Sequence, residues 1–316
     1  MGKKKTNELV ELIQEKDFRN FIEFYEARET FFQKLLKKGL LIQAFLLGYI
    51  RLPELFVMLL PVKYHKDANK LRQKTIGKLF KIDLDAAYHL LGLPFNYFRK
   101  ADNQRFCHDL MTIKNIIIED QYHAREFLNK NSIVIDAGAN IGLFSLFASH
   151  LSPKGTVYAF EPASKNYDDL EFNVGGRPNI KSIQKGLGDK IERTVMAVSQ
   201  HFPTSNSIKK SGFFKNQERY DSEEEIDVIT IDSFVEQEGL KTVDFIKVDT
   251  EGYEKEVLEG AKNTIKKFSP VISISAYHIA SDIKNITAIV KKINPKYQYI
   301  LSQRGEDDLI FWIGQY

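Results

Sequence analysis

Cysteine is almost missing from this sequence: Cys107 stands alone among 316 residues. That excludes an internal disulfide and a clustered thiolate metal site, and it fits a reducing compartment. Long apolar runs are missing too. The most apolar stretch, residues 40–62, is interrupted by Gln43, Arg51, Pro53 and Glu54, and no run within it approaches the ~20 residues a membrane-spanning helix requires. The start Met1-Gly2-Lys3-Lys4-Lys5 leads into polar sequence without the short apolar core of a secretory signal, so a cytoplasmic placement is expected. The seven histidines include no H-x-x-x-H pair, and neither repeats nor low-complexity segments occur. What the chain does contain, 43% hydrophobic and 28% charged residues, is the composition of a globular protein with one large core or two modest ones.

The net charge of +3 is unevenly spread. Residues 1–100 hold 19 Lys+Arg against 11 Asp+Glu, a net of +8, which leaves 26 against 31 in the remainder, a net of −5. A basic first part suits an anionic partner, whether a membrane surface or nucleic acid, and it equally suits a solvated helical face. Apolar residues at helical spacing (Leu9, Leu12, Ile13, then Phe21, Phe24, Tyr25) predict helices over residues 7–50. Lysines flank residues 40–62 at 34, 37, 38, 63 and 66, and the basic run continues to Lys81. Two readings stand for this region: a peripheral membrane contact through residues 34–81, or a buried helical hairpin broken at Pro53.

From about residue 105 the texture changes to short apolar runs alternating with helical patterns. Strands are expected over 132–137, 155–160, 180–185, 245–249, 271–276, 297–301 and 309–313, with helices over 141–150, 166–174 and 253–268. This alternation predicts an α/β domain over residues 105–316, preceded by a helical region over 1–104. Its sheet should be mostly parallel, with the last two strands as an antiparallel edge pair.

The sharpest motif is Ile133-Val134-Ile135-Asp136-Ala137-Gly138-Ala139-Asn140-Ile141-Gly142. An apolar strand ends in an acid, a glycine-bearing turn follows, and a helix begins. Ligands of such sheets bind where strands end in turns of this kind. Gly138 would let the backbone approach a ligand, and Gly142 would let the helix pack on the sheet. A dinucleotide turn needs a third glycine where Asn140 stands, and its pyrophosphate would be repelled by Asp136. S-adenosylmethionine carries no phosphate, and its ammonium and sulfonium are attracted by a carboxylate. Glu161, 25 residues beyond Asp136, closes the next strand where an acid can accept both ribose hydroxyls. Lys185-Gly186-Leu187-Gly188-Asp189 reads as a flexible turn for an adenine edge, with Asp189 as acceptor of its amine or as an ordinary turn acid. The cofactor residues expected are therefore Asp136, Gly138, Asn140, Gly142, Glu161 and Asp189.

The segments around Asp136, Phe160-Glu161-Pro162 and Asp244-Phe245-Ile246-Lys247-Val248-Asp249-Thr250-Glu251-Gly252 together resemble the FkbM-type methyltransferases. Ile229-Thr230-Ile231-Asp232-Ser233-Phe234 and Ser275-Ala276-Tyr277-His278 look like that family as well. The resemblance covers roughly residues 105–316. It implies a class I, Rossmann-like methyltransferase fold that uses S-adenosylmethionine for O-methylation of sugars or polyketide-type hydroxyls.

Three residues are the catalytic candidates. Asp249 and Glu251 follow the fourth main strand, and His278 ends the fifth. A hydroxyl acceptor needs somewhere for its proton to go, and His278 is the expected base because an imidazole titrates near neutrality. Its other reading is a histidine bonded at a strand end. Asp249 and Glu251 would orient the acceptor or hold the loop together. The three could also ligate a divalent ion, but their spacing does not demand one, so no metal is expected. The expected partner is a small-molecule or glycan acceptor. A nucleic-acid methyltransferase is the alternative, disfavoured because Asp-Thr-Glu-Gly replaces the Asn/Asp-Pro-Pro-aromatic loop that holds a flipped base. An NAD-dependent oxidoreductase is disfavoured by Asn140 and Asp136.

Overall fold

A computed structural model describes residues 112–199, 206–208, 220, 222–279, 281–304 and 306–314. The helical region expected over 1–104, its boundary at 104/105, the apolar stretch 40–62 and the membrane contact at 34–81 lie outside these residues. Among the described residues, no helix is long and apolar enough to cross a membrane.

A π-helical turn, Lys114–Ile118, and a short helix α1, Ala124–Phe127, precede the sheet. Strand β1 (Ile133–Ala137) leads to α2 (Leu143–Leu151), β2 (Thr156–Phe160), α3 (Ser164–Val174) and β3 (Ile180–Ile183). After an excursion into a second sheet, the chain continues through α4 (Ile231–Gln237), β8 (Phe245–Val248), α5 (Glu254–Glu259), α6 (Lys262–Phe268) and β9 (Val271–Ser275). It closes with α7 (Asp282–Ile293), β10 (Gln298–Ser302) and β11 (Asp308–Trp312). The seven strands lie in the order β10-β11-β9-β8-β1-β2-β3. All the pairs from β9 through β3 are parallel, and β11 runs antiparallel to both its neighbours. This is the expected Rossmann-like, mostly parallel arrangement, with helices on both faces. The two last strands form the expected antiparallel edge pair, with β10 at the rim and β11 between it and β9.

The central strands Ile-Val-Ile, Thr-Val-Tyr-Ala-Phe, Phe-Ile-Lys-Val and Val-Ile-Ser-Ile are apolar on both faces because helices cover both. Ile135, Ile246, Ile272 and Phe311 face a core shared with Phe234, Val257, Ile265, Ile286 and Val290 from α4 to α7. On the opposite face Phe144 of α2 stacks on Phe245. Successive strand residues alternate between the faces, so Asp136 and Lys247, register partners in β1 and β8, point to the same side as α2. Each large side chain buried this way contributes ~1.5–3 kcal/mol.

Two features depart from expectation. The single helix expected over 253–268 is two helices, α5 and α6. The Asp232 carboxylate accepts from the N–H groups of Asn263 (2.9 Å) and Thr264 (2.8 Å), capping a second helix start. The excursion after β3 forms a four-stranded sheet in the order β4-β7-β5-β6, from β4 (Gly186–Leu187), β5 (Glu192–Val198), β6 (Ser207–Ile208) and β7 (Ser222–Ile229). The segment around Gly186 is thus a paired strand and not a flexible turn. Met196, Ile208, Ile226 and Val228 of this sheet pack on Ala163 and Tyr253, residues of the loops that follow β2 and β8.

Candidate active site

The turn after β1 is closed by the N–H groups of Gly138 and Ala139, which donate to the Phe160 carbonyl at 3.1 and 2.8 Å. Gly138 has a φ of +76°, and a Cβ there would lie 1.9 Å from the Asp249 carbonyl oxygen. The turn therefore packs directly on the loop after β8. At Gly142 a Cβ would meet Leu170 Cδ1 of α3 at 2.6 Å.

Asp136 is fully buried. Its Oδ2 accepts from Ser145 Oγ at 2.6 Å, and its Oδ1 lies 3.1 Å from Lys247 Nζ. Lys247 also donates to the Gly138 carbonyl at 2.7 Å. Burial works against the Lys247 ammonium, but Asp136, Asp249 and Glu161 outweigh it and hold its pKa above the ordinary lysine value. The Asp136 charge thus reaches the cleft only as half of an ion pair, and the pair pins the glycine turn in place. The expected attraction for a cofactor's ammonium is correspondingly offset.

Glu161, also buried, spans two loops. Its Oε2 accepts from the Asn140 N–H at 2.9 Å and its Oε1 from the Ala163 N–H at 3.0 Å. Burial pushes its carboxyl up to about 7, against these hydrogen bonds and Lys247. Asn140 has a φ of +49°. Its Oδ1 is screened from solvent and accepts from no donor among the described residues, a position suited to a ligand's N–H or O–H. Asp189 is exposed, with Tyr253 and Glu256 as electrostatic neighbours. No hydrogen bond or ion pair among the described residues links it to Asn140 or Glu161.

The second half of the site follows β8 and β9, which are adjacent and parallel, so Asp249, Glu251 and His278 meet. His278 Nε2 lies 3.5 Å from Glu251 Oε2 and 3.7 Å from Asp249 Oδ1. Its Nδ1 lies 3.1 Å from Oε1 of the buried Glu254, which itself accepts from the Thr250 and Gly252 N–H groups at 2.9 and 3.1 Å. Glu251 has a φ of +53°, a conformation that costs a non-glycine residue ~1–2 kcal/mol. Ser207 Oγ donates to its carbonyl at 2.8 Å, tying the second sheet to this loop. Such strained residues concentrate at functional sites.

The charges decide what each group can do. Burial pulls the His278 pKa down, but Glu254 and Glu251 outweigh it and hold it well above the ordinary value. These carboxylates favour the protonated imidazole, whereas the expectation of a neutral base rested on an unperturbed ring. Burial, with Asp249 and Glu254 nearby, pushes the Glu251 carboxyl up to about 7 against the pull of His278. For Glu254, His278 and the Thr250 N–H outweigh burial and lower the pKa. Ligand atoms of Asp249, Glu254 and His278 lie within 4.8 Å of one another, a set whose chemistry would also suit a divalent ion.

Four participants were not anticipated as site residues. Lys247 was visible as a charge inside an apolar strand, and Glu254 as a third acid in Asp-Thr-Glu-Gly-Tyr-Glu. Asp308, fully buried on β11, accepts from Ser275 Oγ at 3.1 Å, and burial with Asp249 nearby holds its carboxyl well above the usual range. Tyr122 reaches the site from before the sheet and donates to Asp249 Oδ2 at 2.8 Å. Local sequence around Asp308 and Tyr122 carries no signal of this.

The family model described as the methyltransferase FkbM domain matches residues 136–301, which include both halves of this site. The chain belongs to the FkbM methyltransferase family. Methyltransferase sdnD of Sordaria araneosa is 30% identical over 159 residues, 42% of this chain and 61% of its own length. Hexuronic acid methyltransferase AglP of Haloferax volcanii is 27% identical over 191 residues, 58% of this chain and 72% of its own. The crystal structure of an FkbM methyltransferase from Methylobacillus flagellatus KT, 20% identical, superposes with a TM-score of 0.44 over 75% of this chain and 65% of that one. The match thus spans about three fifths of sdnD's length.

Proposed function

We propose that this FkbM-family domain transfers the methyl group of S-adenosylmethionine to a hydroxyl of a glycan or small molecule. The observation that carries the reading is the meeting of a glycine turn, closed by Glu161 and backed by Lys247, with the Asp249–Glu251–His278 cluster at the same edge of the sheet. The residues of the turn fit the cofactor: Glu161 retains lone pairs for two ribose hydroxyls, and the screened Asn140 Oδ1 awaits a donor. When bound, S-adenosylmethionine supplies a methyl group already activated on a sulfonium. The chain's task is then alignment and proton removal. Asp249 orients the acceptor hydroxyl, the Glu251 carboxylate takes its proton, and the His278 cation holds the two acids together. Transfer would form a carbon–oxygen bond to the acceptor as the cofactor's carbon–sulfur bond broke, leaving that bond's electron pair on sulfur and the acceptor's proton on Glu251. The name of AglP, which specifies a hexuronic acid, supports a sugar-type acceptor.

Titration calorimetry tests the first half. S-adenosylmethionine and its demethylated product should bind in the micromolar range, and NADH should not bind. Glu161→Ala should weaken cofactor binding by roughly 1–3 kcal/mol, the scale of a lost hydrogen bond to a charged group. Unchanged affinity in that variant would remove Glu161 from the site. Mass spectrometry of a panel of glycans and hydroxylated small molecules, incubated with protein and cofactor, then identifies the acceptor.

A further inference from the structure

We infer that Tyr122 is a positioning residue of this active site, supplied from outside the sheet to fix the orientation of the Asp249 carboxylate. The inference rests on the reading of Asp249 as the group that orients the acceptor.

The segment carrying Tyr122 is built to deliver it. Asp120 and His123, on either side, both have left-handed backbone, with φ of +52° and +56°. The Asp120 carboxylate accepts from the N–H groups of Ala124 (2.9 Å) and Arg125 (3.1 Å), fixing the start of α1. His123 bridges Glu126 and Ser302 at 2.9 and 2.8 Å, anchoring the segment to the end of β10. Two left-handed residues within four positions cost ~1–2 kcal/mol each, and the bonds on both sides hold them there.

Between these anchors the phenol ring is buried, 4% exposed. It meets Phe144 edge-on at 5.2 Å between centroids, and Lys247 Nζ lies 5.5 Å from its centre. The ring therefore covers the Asp136–Lys247 pair that pins the cofactor turn, while its O–H reaches the acceptor side. Burial, with the neighbouring Asp249 and Asp308, holds the phenol well above its ordinary pKa, so it stays a donor. Its target is selective. Asp249 Oδ2 takes the phenol hydrogen at 2.8 Å, while Oδ1, screened from solvent, accepts no hydrogen bond among the described residues. Oδ1 stays 3.7 Å from the His278 cation, longer than a hydrogen bond. His278 Nε2 carries a single hydrogen, and Glu251 Oε2 at 3.5 Å competes for it, so the Asp249 carboxylate is oriented from its other oxygen. The Tyr122 bond thus fixes Oδ2 and sets which oxygen of Asp249 faces the His278–Glu251 cluster.

The test is a double-mutant cycle on the full chain, using the acceptor found in the panel. Tyr122→Phe removes one oxygen and keeps the ring contacts. Its kcat should fall about 10–100-fold, the scale of a misaligned reacting group. The cofactor Kd should stay within about twofold and the melting temperature should be close to that of the wild type. In an Asp249→Ala background, Tyr122→Phe should cost nothing further, because the two act as one unit. An unchanged kcat, or a full loss that persists without Asp249, overturns the inference. If Tyr122→Phe does not accumulate folded, 3-fluorotyrosine at this position strengthens the donor at nearly constant shape. Altered kcat at constant cofactor affinity then supports the inference, and unaltered kcat overturns it. A wild type that neither binds cofactor nor methylates any acceptor removes the underlying reading and this inference together, whereas an active wild type with an indifferent Tyr122→Phe removes this inference alone.

Discussion

An imidazole titrates near neutrality only while no charge lies beside it. Here Glu251, Glu254 and Asp249 surround the His278 ring, and Asp282 lies within electrostatic range. A ring held as a cation cannot take a proton from an alcohol. A carboxyl pushed up to about 7 can, because the best general base has a pKa near the working pH. Turnover should therefore rise with pH through about 7 as the Glu251 carboxyl ionises. Glu251→Gln should abolish that limb and lower kcat by roughly 10²–10⁴-fold. His278→Ala should also lower turnover, by letting the acids repel one another, yet it should leave a pH limb. The outcome that would reinstate His278 as the base is the reverse: a limb that survives Glu251→Gln and vanishes with His278→Ala.

At the scale of elements, the turn between β1 and α2 tests how tightly the two halves of the site are joined. A Cβ at Gly138 would strike the Asp249 backbone oxygen at 1.9 Å, whereas at Gly142 the obstacle is the Leu170 side-chain tip at 2.6 Å. Backbone cannot yield as a side-chain end can. Gly138→Ala should therefore abolish measurable cofactor binding and disturb the acid cluster. Gly142→Ala should lower stability by roughly 1–3 kcal/mol from overpacking, with ~1–2 kcal/mol more from its left-handed backbone at φ +89°, and keep some binding. Urea unfolding and cofactor titration of both variants check the contrast, and equal behaviour would refute the tight junction. The same elements show how far the sequence could be read. The central strands, α2 and α3 were legible because Ile133-Val134-Ile135 and Phe245-Ile246 are apolar runs of strand length, and because Gly138 and Gly142 punctuate the turn. The second sheet was not, since Glu223-Glu224-Glu225 conceals the alternation of Ile226 and Val228. The break between α5 and α6 depends on Asp232, a cap from another element. Asp249, Glu251 and His278 could be named from their strand ends. Tyr122 could not, because its partner lies 127 residues away, and the charge on His278 could not, because it is set by neighbours that only the fold assembles.

At the scale of the described fold, the buried ionisable groups combine into one net pH dependence. Burial raises Glu161 and Glu251 from 4.5 to about 7. His278 is raised from 6.5 by Glu254 and Glu251 despite burial. Asp308 is raised from 3.8, chiefly by burial. A raised folded pKa means that the folded state keeps a proton the unfolded chain releases, so stability is lost as pH rises toward the folded value. Glu161 and Glu251 lose theirs between 4.5 and about 7, and His278 follows above 6.5. Glu254 has the opposite sign: its pKa is lowered from 4.5, so its contribution is present above that value and lost in acid. The cofactor-free protein should consequently melt highest near about pH 5 and progressively lower toward about pH 8. Glu161→Gln should flatten this slope, since an amide neither gains nor loses a proton. If ribose hydroxyls donate to Glu161 as proposed, they favour its ionised form, so cofactor binding should release protons and should raise the melting temperature more at about pH 8 than at about pH 6. Calorimetric melting across this range, with and without cofactor, measures both effects. A melting temperature that rises steadily from about pH 5 to about pH 8 would show that these groups are not buried together as described.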